Sequence, residues 1–382
     1  MTSGEAYDVV VIGGGMAGIS AACELAAAAR VLLVERESQL GYHSTGRSAA
    51  ILTENYGNAV IRKLTIASRT FFAAPPPGFT EHPLLAPRGV LFLARADQGR
   101  TFEAALTLGR SLVSSIRAVG VEEALAICPV LRPGYLAQAM LEPDAMDLDV
   151  HAILQGYLAL FRRRGGQILT DAPVTALRRR GGRWEVRAGD AEVTAAVLVA
   201  AAGAWGDDIA RMAGAAPIGL VPKRRTAATF DPPAGMAVGG WPLVLDVDEK
   251  FYFKPESGRL MASPADETPM PPCDVQPEEL DVAEGIDRVE RATTLEVQRI
   301  HRRWAGLRTF AADKSPVVGP DPSVPGFVWL AGQGGYGIMT SPAMSRIVAG
   351  LVLEGRIPDD LAAMGLHAED LVPARLRVPA IA

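Results

Sequence analysis

Residues 7–12 read YDVVVI, an apolar run rich in β-branched side chains that suits a strand covered on both faces. After three glycines, residues 16–29 are mostly Ala with Ile19, Glu24 and Leu25, a composition that favours helix. Residues 31–37, VLLVERE, begin as a second buried strand that ends at Glu35. Parallel strands need a crossover helix, so this opening predicts a βαβ unit. The texture changes over residues 89–149: GVLFLA reads as a strand, residues 98–119 as a helix, and Pro-punctuated turns follow. Helical character returns over 149–164, where Asp149 is a good N-cap, ahead of two short strands and VLVAAAGAW. Residues 221–263 supply further strand candidates, PLVLDV and KFYFKP among them. The loop DETPMPPCDVQPEELD leads to a helix near 278–293. WAGLRTFAADKSPVVGP comes next, then LAGQGGYGIMTS as a buried strand with a glycine turn, then a helix over 342–353.

The first glycines fall at 13, 15 and 18, giving G-x-G-x-x-G between a strand and a helix. Gly13 permits a tight turn, Gly15 lets the backbone approach a pyrophosphate, and Gly18 lets helix pack on strand. An anion would sit at the positive helix end, against Met16 and Ala17. Glu35 stands 17 residues after Gly18, about where a carboxylate holds a ribose hydroxyl. Taken alone the motif is equally a packed glycine turn; its context of strand, helix, strand and acid points to a dinucleotide. Such segments occur at the start, middle and end of the chain with β-richer blocks between them. Two interwoven domains are therefore expected: residues 1–88, 150–220 and 310–382 in one, 89–149 and 221–309 in the other.

Composition narrows the class. The 382 residues are 49% hydrophobic and 21% charged, which predicts a globular chain with a large core. A net charge of −5 argues against a nucleic-acid partner. Cys23, Cys128 and Cys273 lie far apart, so neither a disulfide framework nor a metal site is expected. Residues 9–12 stop at the glycines and follow Glu5 and Asp8, unlike a secretory signal. No stretch approaches the roughly 18–20 apolar residues of a membrane span. The expectation is a cytoplasmic protein, with peripheral attachment to the inner face of a membrane left open.

A nicotinamide enzyme needs nothing special after VERE, whereas this chain continues SQLGYHSTGRSAA. Ser44, Thr45, Ser48, Ala49 and Ala50, around Arg47, suit a backbone pressed on an extended phosphate–ribityl chain. With EHPLL, PKRR, FYFKP, DVQPEELD, WAGLRTF and QGGYGI in the same order, the chain resembles the FAD-dependent D-amino acid oxidase superfamily, and within it the bacterial D-arginine dehydrogenases. The resemblance implies an α/β fold, with a Rossmann-like FAD-binding domain interwoven with an α+β substrate domain on a mixed or antiparallel sheet. It implies non-covalent FAD, held at its adenosine end by residues 13–18, Glu35 and Arg36, with Val174 by the adenine. Ala202, Gly203, Trp205 and Gly306 would flank the cofactor. The second turn, with Gly334, Gly335, Tyr336, Gly337, Ile338, Met339 and Thr340, would meet the flavin ring. One long cofactor would thus explain two glycine turns at opposite ends of the chain.

The same resemblance makes Arg308 and Arg225 ligands of a substrate carboxylate, a task suited to the planar guanidinium fork. Arg224 and Arg225 differ by one register step, which strand alternation must decide. Tyr56 matches a lid tyrosine and Tyr252 one on the substrate sheet. His43 reads as a turn residue near the cofactor, not a catalytic one. The relatives' polar groups for a guanidinium are replaced by Val90, Ile51 and Met339. The expected substrate is therefore a neutral, largely apolar D-amino acid, with Glu54 as the counter-argument should it turn inward. Oxidative deamination by hydride transfer from Cα to flavin N5 is implied, giving an imino acid, then a 2-oxo acid and ammonia. Oxygen, a quinone or another carrier could reoxidise the flavin. The alternatives are a glycine/sarcosine-type amine oxidase, a D-arginine-type enzyme, and a non-catalytic flavin-binding module.

Overall fold

The computed structural model describes residues 4–377; the ends of the expected domain segments, 1–3 and 378–382, lie outside the described residues. The opening βαβ unit forms from strand Ala6–Ile12, helix Met16–Leu25 and strand Val31–Val34. The helix is shorter than the Ala-rich stretch suggested, because residues 26–29 leave it in a turn. Strand Ala6–Ile12 sits centrally in an eight-stranded sheet, parallel to Val31–Val34 on one side and Ala191–Ala200 on the other. Val31–Val34 pairs onward with Gln167–Leu169. Phe327–Ala331 pairs parallel to the end of Ala191–Ala200, with Leu198 opposite Phe327. All but the outlying antiparallel strands therefore point the same way, and their carboxyl ends share one edge.

A second sheet of nine strands draws on residues 90–142 and 221–310. Its pairs are antiparallel except for Leu243–Asp246 alongside Val90–Ala94. Side chains alternate across it, as the period of a strand requires. Val90, Phe92 and Ala94 join Tyr252 and Met261 in one core, while Leu91 and Leu93 join Phe251 and Phe253 in the other. A small third sheet, Ile51–Leu52, Met146–Leu148 and Leu85–Pro87, lies between in sequence.

One element differs in kind from expectation. The helix foreseen over 98–119 runs Gly99–Leu112, and Arg117–Val119 is instead an edge strand paired with residues 139–141. Val113 is extended, and the Ser114–Ser115 pair that follows offers the backbone competing side-chain hydrogen bonds. The helix expected over 342–353 runs Ser341–Leu353, with Pro342 in its first turn.

Candidate active site

A cavity of about 440 Å³ opens where the parallel strands end. Gly13 follows the first strand, Glu35 the second, Ala202 the third and Gln333 the fourth. Ligands of open α/β sheets bind at this edge because loops there diverge and helix N-termini converge. Gly13, Gly15, Met16 and Ala17 line the cavity, and Gly15 caps the first helix without a side chain. Gly13 has a φ of +110°, and a Cβ there would lie 2.5 Å from the Ala201 carbonyl oxygen. Gly18 is not on the wall. A Cβ on it would lie 1.8 Å from the Gly13 carbonyl oxygen, so its smallness serves helix–strand packing.

Glu35 faces the cavity but is also structural: its carboxylate accepts from Gly14 N–H at 2.6 Å and Glu37 N–H at 2.9 Å. Arg36 and Val174 stand on the same wall, and the Arg36 guanidinium lies 4.9 Å from the centre of the Trp205 ring. Ala202 and Gly203 complete this part, and Gly203, with φ +53°, has open space where a side chain would be. Ser44, Thr45, Arg47, Ser48, Ala49 and Gly306 line the stretch beyond. Thr45 Oγ1 accepts from Met16 N–H, tying this loop to the helix start. The Arg47 head turns to the 273–275 loop, donating to the carbonyls of Val275 and Ala305 and pairing with Asp274. His43 also lines the cavity, with its ring against Trp205 and Nε2 by Glu37.

Gly334, Gly335, Gly337 and Ile338 bring the second glycine turn to the same cavity. Tyr336 and Thr340 were expected there too, yet neither lies on a cavity wall among the described residues. Tyr336 packs behind Tyr56, ring centres 5.0 Å apart, and Thr340 spends its hydroxyl on the Tyr336 carbonyl at 2.9 Å. Gln333, which follows Gly332 within the expected turn, is not singled out by the sequence. Its buried Nε2 and the buried Thr309 Oγ1 have no partner, and both residues stand on the cavity wall. Such groups are costly to leave unpaired, which fits a polar occupant. Glycine walls, a bare helix start and unpaired donors together suit a long dinucleotide cofactor.

A chamber of about 70 Å³ adjoins the large cavity, sharing Arg225, Arg308, Tyr252 and Gly335 with it. Strand pairing explains the two arginines. Arg225 lies opposite Gly306, and Arg308 is two residues further along the same partner strand. Diagonal neighbours share a face, and Gly306 leaves room between them. Arg224, one step off, faces the other way into Asp281 at 2.8 Å, with Asp266 and Glu278 around it. Arg225 donates to the Asp266 carbonyl and lies 3.4 Å from Glu267, which also holds Lys223.

Arg308 has no carboxylate within ion-pair distance among the described residues; its polar contact is the Tyr56 hydroxyl at 3.4 Å. Burial pulls its pKa down, but the hydroxyls of Tyr56, Tyr252 and Tyr336 outweigh this and keep it cationic. Ile51, Val90 and Met339 line the chamber, beside Phe92, Leu243 and Leu245; Ala50, expected along the cofactor, lines this chamber and not the large cavity. Glu54 does not reach it, because its carboxylate pairs with Arg69 at 3.2 Å. Glu249 does, with the Tyr56 hydroxyl donating to it at 3.3 Å. It tips the 246–250 hairpin with φ +54°, a position no spacing in the sequence marks.

A Rossmann-like sheet with a cofactor cleft, joined to an antiparallel sheet bearing a cationic chamber, defines a flavin-dependent oxidoreductase. The chain belongs to the DAO family of FAD dependent oxidoreductases, matching it over residues 8–351. It is 24% identical over 363 residues to glycine oxidase of Bacillus licheniformis, covering 91% of this chain and 93% of that one. It is likewise 24% identical to mitochondrial dimethylglycine dehydrogenase of Mus musculus, where the match covers 93% of this chain but 43% of the mouse protein. Among solved structures, L-proline dehydrogenase from P. horikoshii superposes with a TM-score of 0.83 at 22% identity, covering 97% of this chain and 98% of that one.

Proposed function

We propose that the protein oxidatively deaminates D-amino acids with neutral, largely apolar side chains. The observation that carries this reading is Arg308, a guanidinium turned into the chamber with no carboxylate within ion-pair distance among the described residues, Glu249 being linked to it only through the Tyr56 hydroxyl. An unpaired cation in a site with low water content favours a bound anion, and a substrate carboxylate supplies one bidentately. Arg225 would add a second contact, and Tyr252 would close the far side. The bound carboxylate would leave the side chain among Ile51, Val90, Phe92, Leu243, Leu245 and Met339, where a charged group would lose its water, Glu249, which accepts from the Tyr56 hydroxyl, being the acid on the chamber wall. The D configuration rests on the sequence resemblance alone.

FAD would lie along Gly13, Gly15, Glu35, Arg36, Thr45, Ala202, Gly203 and the second glycine turn. When bound it supplies the hydride acceptor for the substrate Cα–H, and the imino acid product hydrolyses to a 2-oxo acid and ammonia. The protein orients the substrate through its carboxylate, and its apolar chamber walls limit water around the reacting carbon. Segments 1–88, 150–220 and 310–382 would serve the cofactor, and 89–149 with 221–309 the substrate.

A second reading has its own support, because relatives of this chain are named for glycine and dimethylglycine and a close structural neighbour for L-proline. Anaerobic mixing with D- and L-amino acids, sarcosine and proline separates them by bleaching of the flavin absorbance. D-leucine, D-methionine or D-phenylalanine should reduce the flavin faster than D-arginine. A strong D-arginine preference would assign Glu249 to the side chain and overturn the neutral-substrate reading, and preference for sarcosine or proline would establish the second reading. Admission of air afterwards reports whether oxygen accepts the electrons.

A further inference from the structure

Tyr56 lines the chamber and is partly exposed, so the backbone that carries it sets where this part of the wall stands. That backbone, residues 53–57, joins strand Ile51–Leu52 to helix Ala59–Ala73 and has no regular structure of its own. Two buried charges bracket it. On one side Glu142, 2% exposed, accepts from the Thr53 hydroxyl at 2.7 Å and from Glu54 N–H at 3.0 Å. On the other, Arg62 donates to Asn55 Oδ1 at 2.9 Å and to the Gly57 carbonyl at 2.8 Å. The Thr53 hydroxyl also accepts from Asn55 N–H at 3.3 Å, linking the two halves. Every residue from 53 to 57 except Tyr56 is thus held by a polar contact of this clamp, and of these residues Thr53 and Tyr56 line the chamber.

Glu142 ends strand Gln138–Glu142 and lies directly opposite Val90. Opposed residues share a face of a sheet, so the carboxylate rises from the same face that forms the chamber wall. Burying a carboxylate there is costly, and burial pushes its pKa up to about 7. A glutamine would fill the same space without a charge, but its amide would offer an N–H toward one of the two donors.

We infer that Glu142 is a positioning residue, whose two-donor grip on residues 53 and 54 fixes the Tyr56 loop over the substrate chamber. Its effect on turnover rests on the function proposed above, whereas its effect on the loop does not. The test compares flavin-loaded wild-type protein with Glu142→Gln and Thr53→Val. The valine removes one hydroxyl donor at constant shape and serves if the glutamine variant fails to fold. Hydrogen exchange at residues 54–57 should quicken about tenfold in Glu142→Gln, the consequence of losing one buried hydrogen bond, and at least as much in Thr53→Val, which also loses the acceptor of Asn55 N–H, while residues 9–12 stay unchanged. Benzoate, followed by perturbation of the flavin spectrum, should bind about five- to tenfold more weakly. With the substrate that reduces the wild type, the apparent dissociation constant should rise similarly while the limiting reduction rate falls less than about twofold.

Unchanged exchange at residues 54–57 in both variants would overturn the inference. So would a fall confined to the limiting rate with binding untouched, which would mark a defect at the reacting atoms. Wild-type protein that no amino acid reduces would sink the proposed function instead, leaving exchange and benzoate binding to judge the anchor.

Discussion

Arg308 and Arg224 are arginines on neighbouring strands of one sheet, yet their surroundings give them opposite tasks. Arg224, with a side chain 4% exposed, is enclosed by Asp266, Asp281 and Glu278. Removing it strands buried carboxylates, so Arg224→Ala should cost on the order of 3–5 kcal/mol and lower Tm markedly. Arg308 has no carboxylate within ion-pair distance among the described residues, so Arg308→Met should leave flavin content and Tm nearly intact. Its kcat/KM should fall roughly 10- to 150-fold, the equivalent of one hydrogen-bonded charge contact. A loss of folding in Arg308→Met would show that the residue is structural. Glu142 gives a residue-scale prediction in pH. Its folded pKa near 7 lies above the ordinary carboxylate value of 4.5, so the native state holds a proton that the unfolded chain releases earlier. Stability from this group is full below about pH 4.5 and is lost as pH rises through 7, a change on the order of 3 kcal/mol. Glu142→Gln should flatten that part of the Tm–pH curve, and an unchanged curve would mean the carboxylate is not desolvated.

At the scale of elements, the register between strands Val221–Phe230 and Ile300–Phe310 is the decisive feature. It places Gly306 opposite Arg225 and so puts both guanidinium groups on one face. The second glycine turn then packs against the pair. A Cβ on Gly335 would lie 2.7 Å from Arg308 Nη1, so Gly335→Ala should displace the guanidinium. The expected result is weaker benzoate binding with normal flavin content; equal affinity would show that Arg308 does not grip the carboxylate. The turns and strands themselves were legible, because glycine spacing and apolar runs are local signals. Helix 98–119 was misjudged over its final third, where Arg117–Val119 pairs with a strand more than 20 residues away. Tertiary pairing there outweighed local propensity. Gln333 adjoins the legible glycines, and its neighbours already marked the turn. Glu249 was not legible, since its place depends on how the 246–250 hairpin meets the Tyr56 loop.

For the whole molecule, the cofactor cleft gathers segments from the start, middle and end of the chain. A ligand that bridges such distant segments binds the folded state alone, so flavin should stabilise the protein by mass action. Stripping FAD should lower Tm, and adding it back in excess should restore the original value. An apoprotein equally stable to heat would mean the cleft does not bind the cofactor across its length. Among the described residues no helix is long and apolar enough to cross a membrane. The sequence alone determined the alternating apolar runs, the glycine turns after buried strands and the set of side chains available for a cationic site. Those are local properties, set by the steric freedom of glycine, the two-residue period of strands and the chemistry of each side chain. Only the tertiary structure decided that Arg225 rather than Arg224 faces the cavity, that Glu54 turns away while Glu249 turns in, and that Glu142 holds the Tyr56 loop. These depend on strand register and on contacts between residues far apart in the chain, for which no local pattern carries the information.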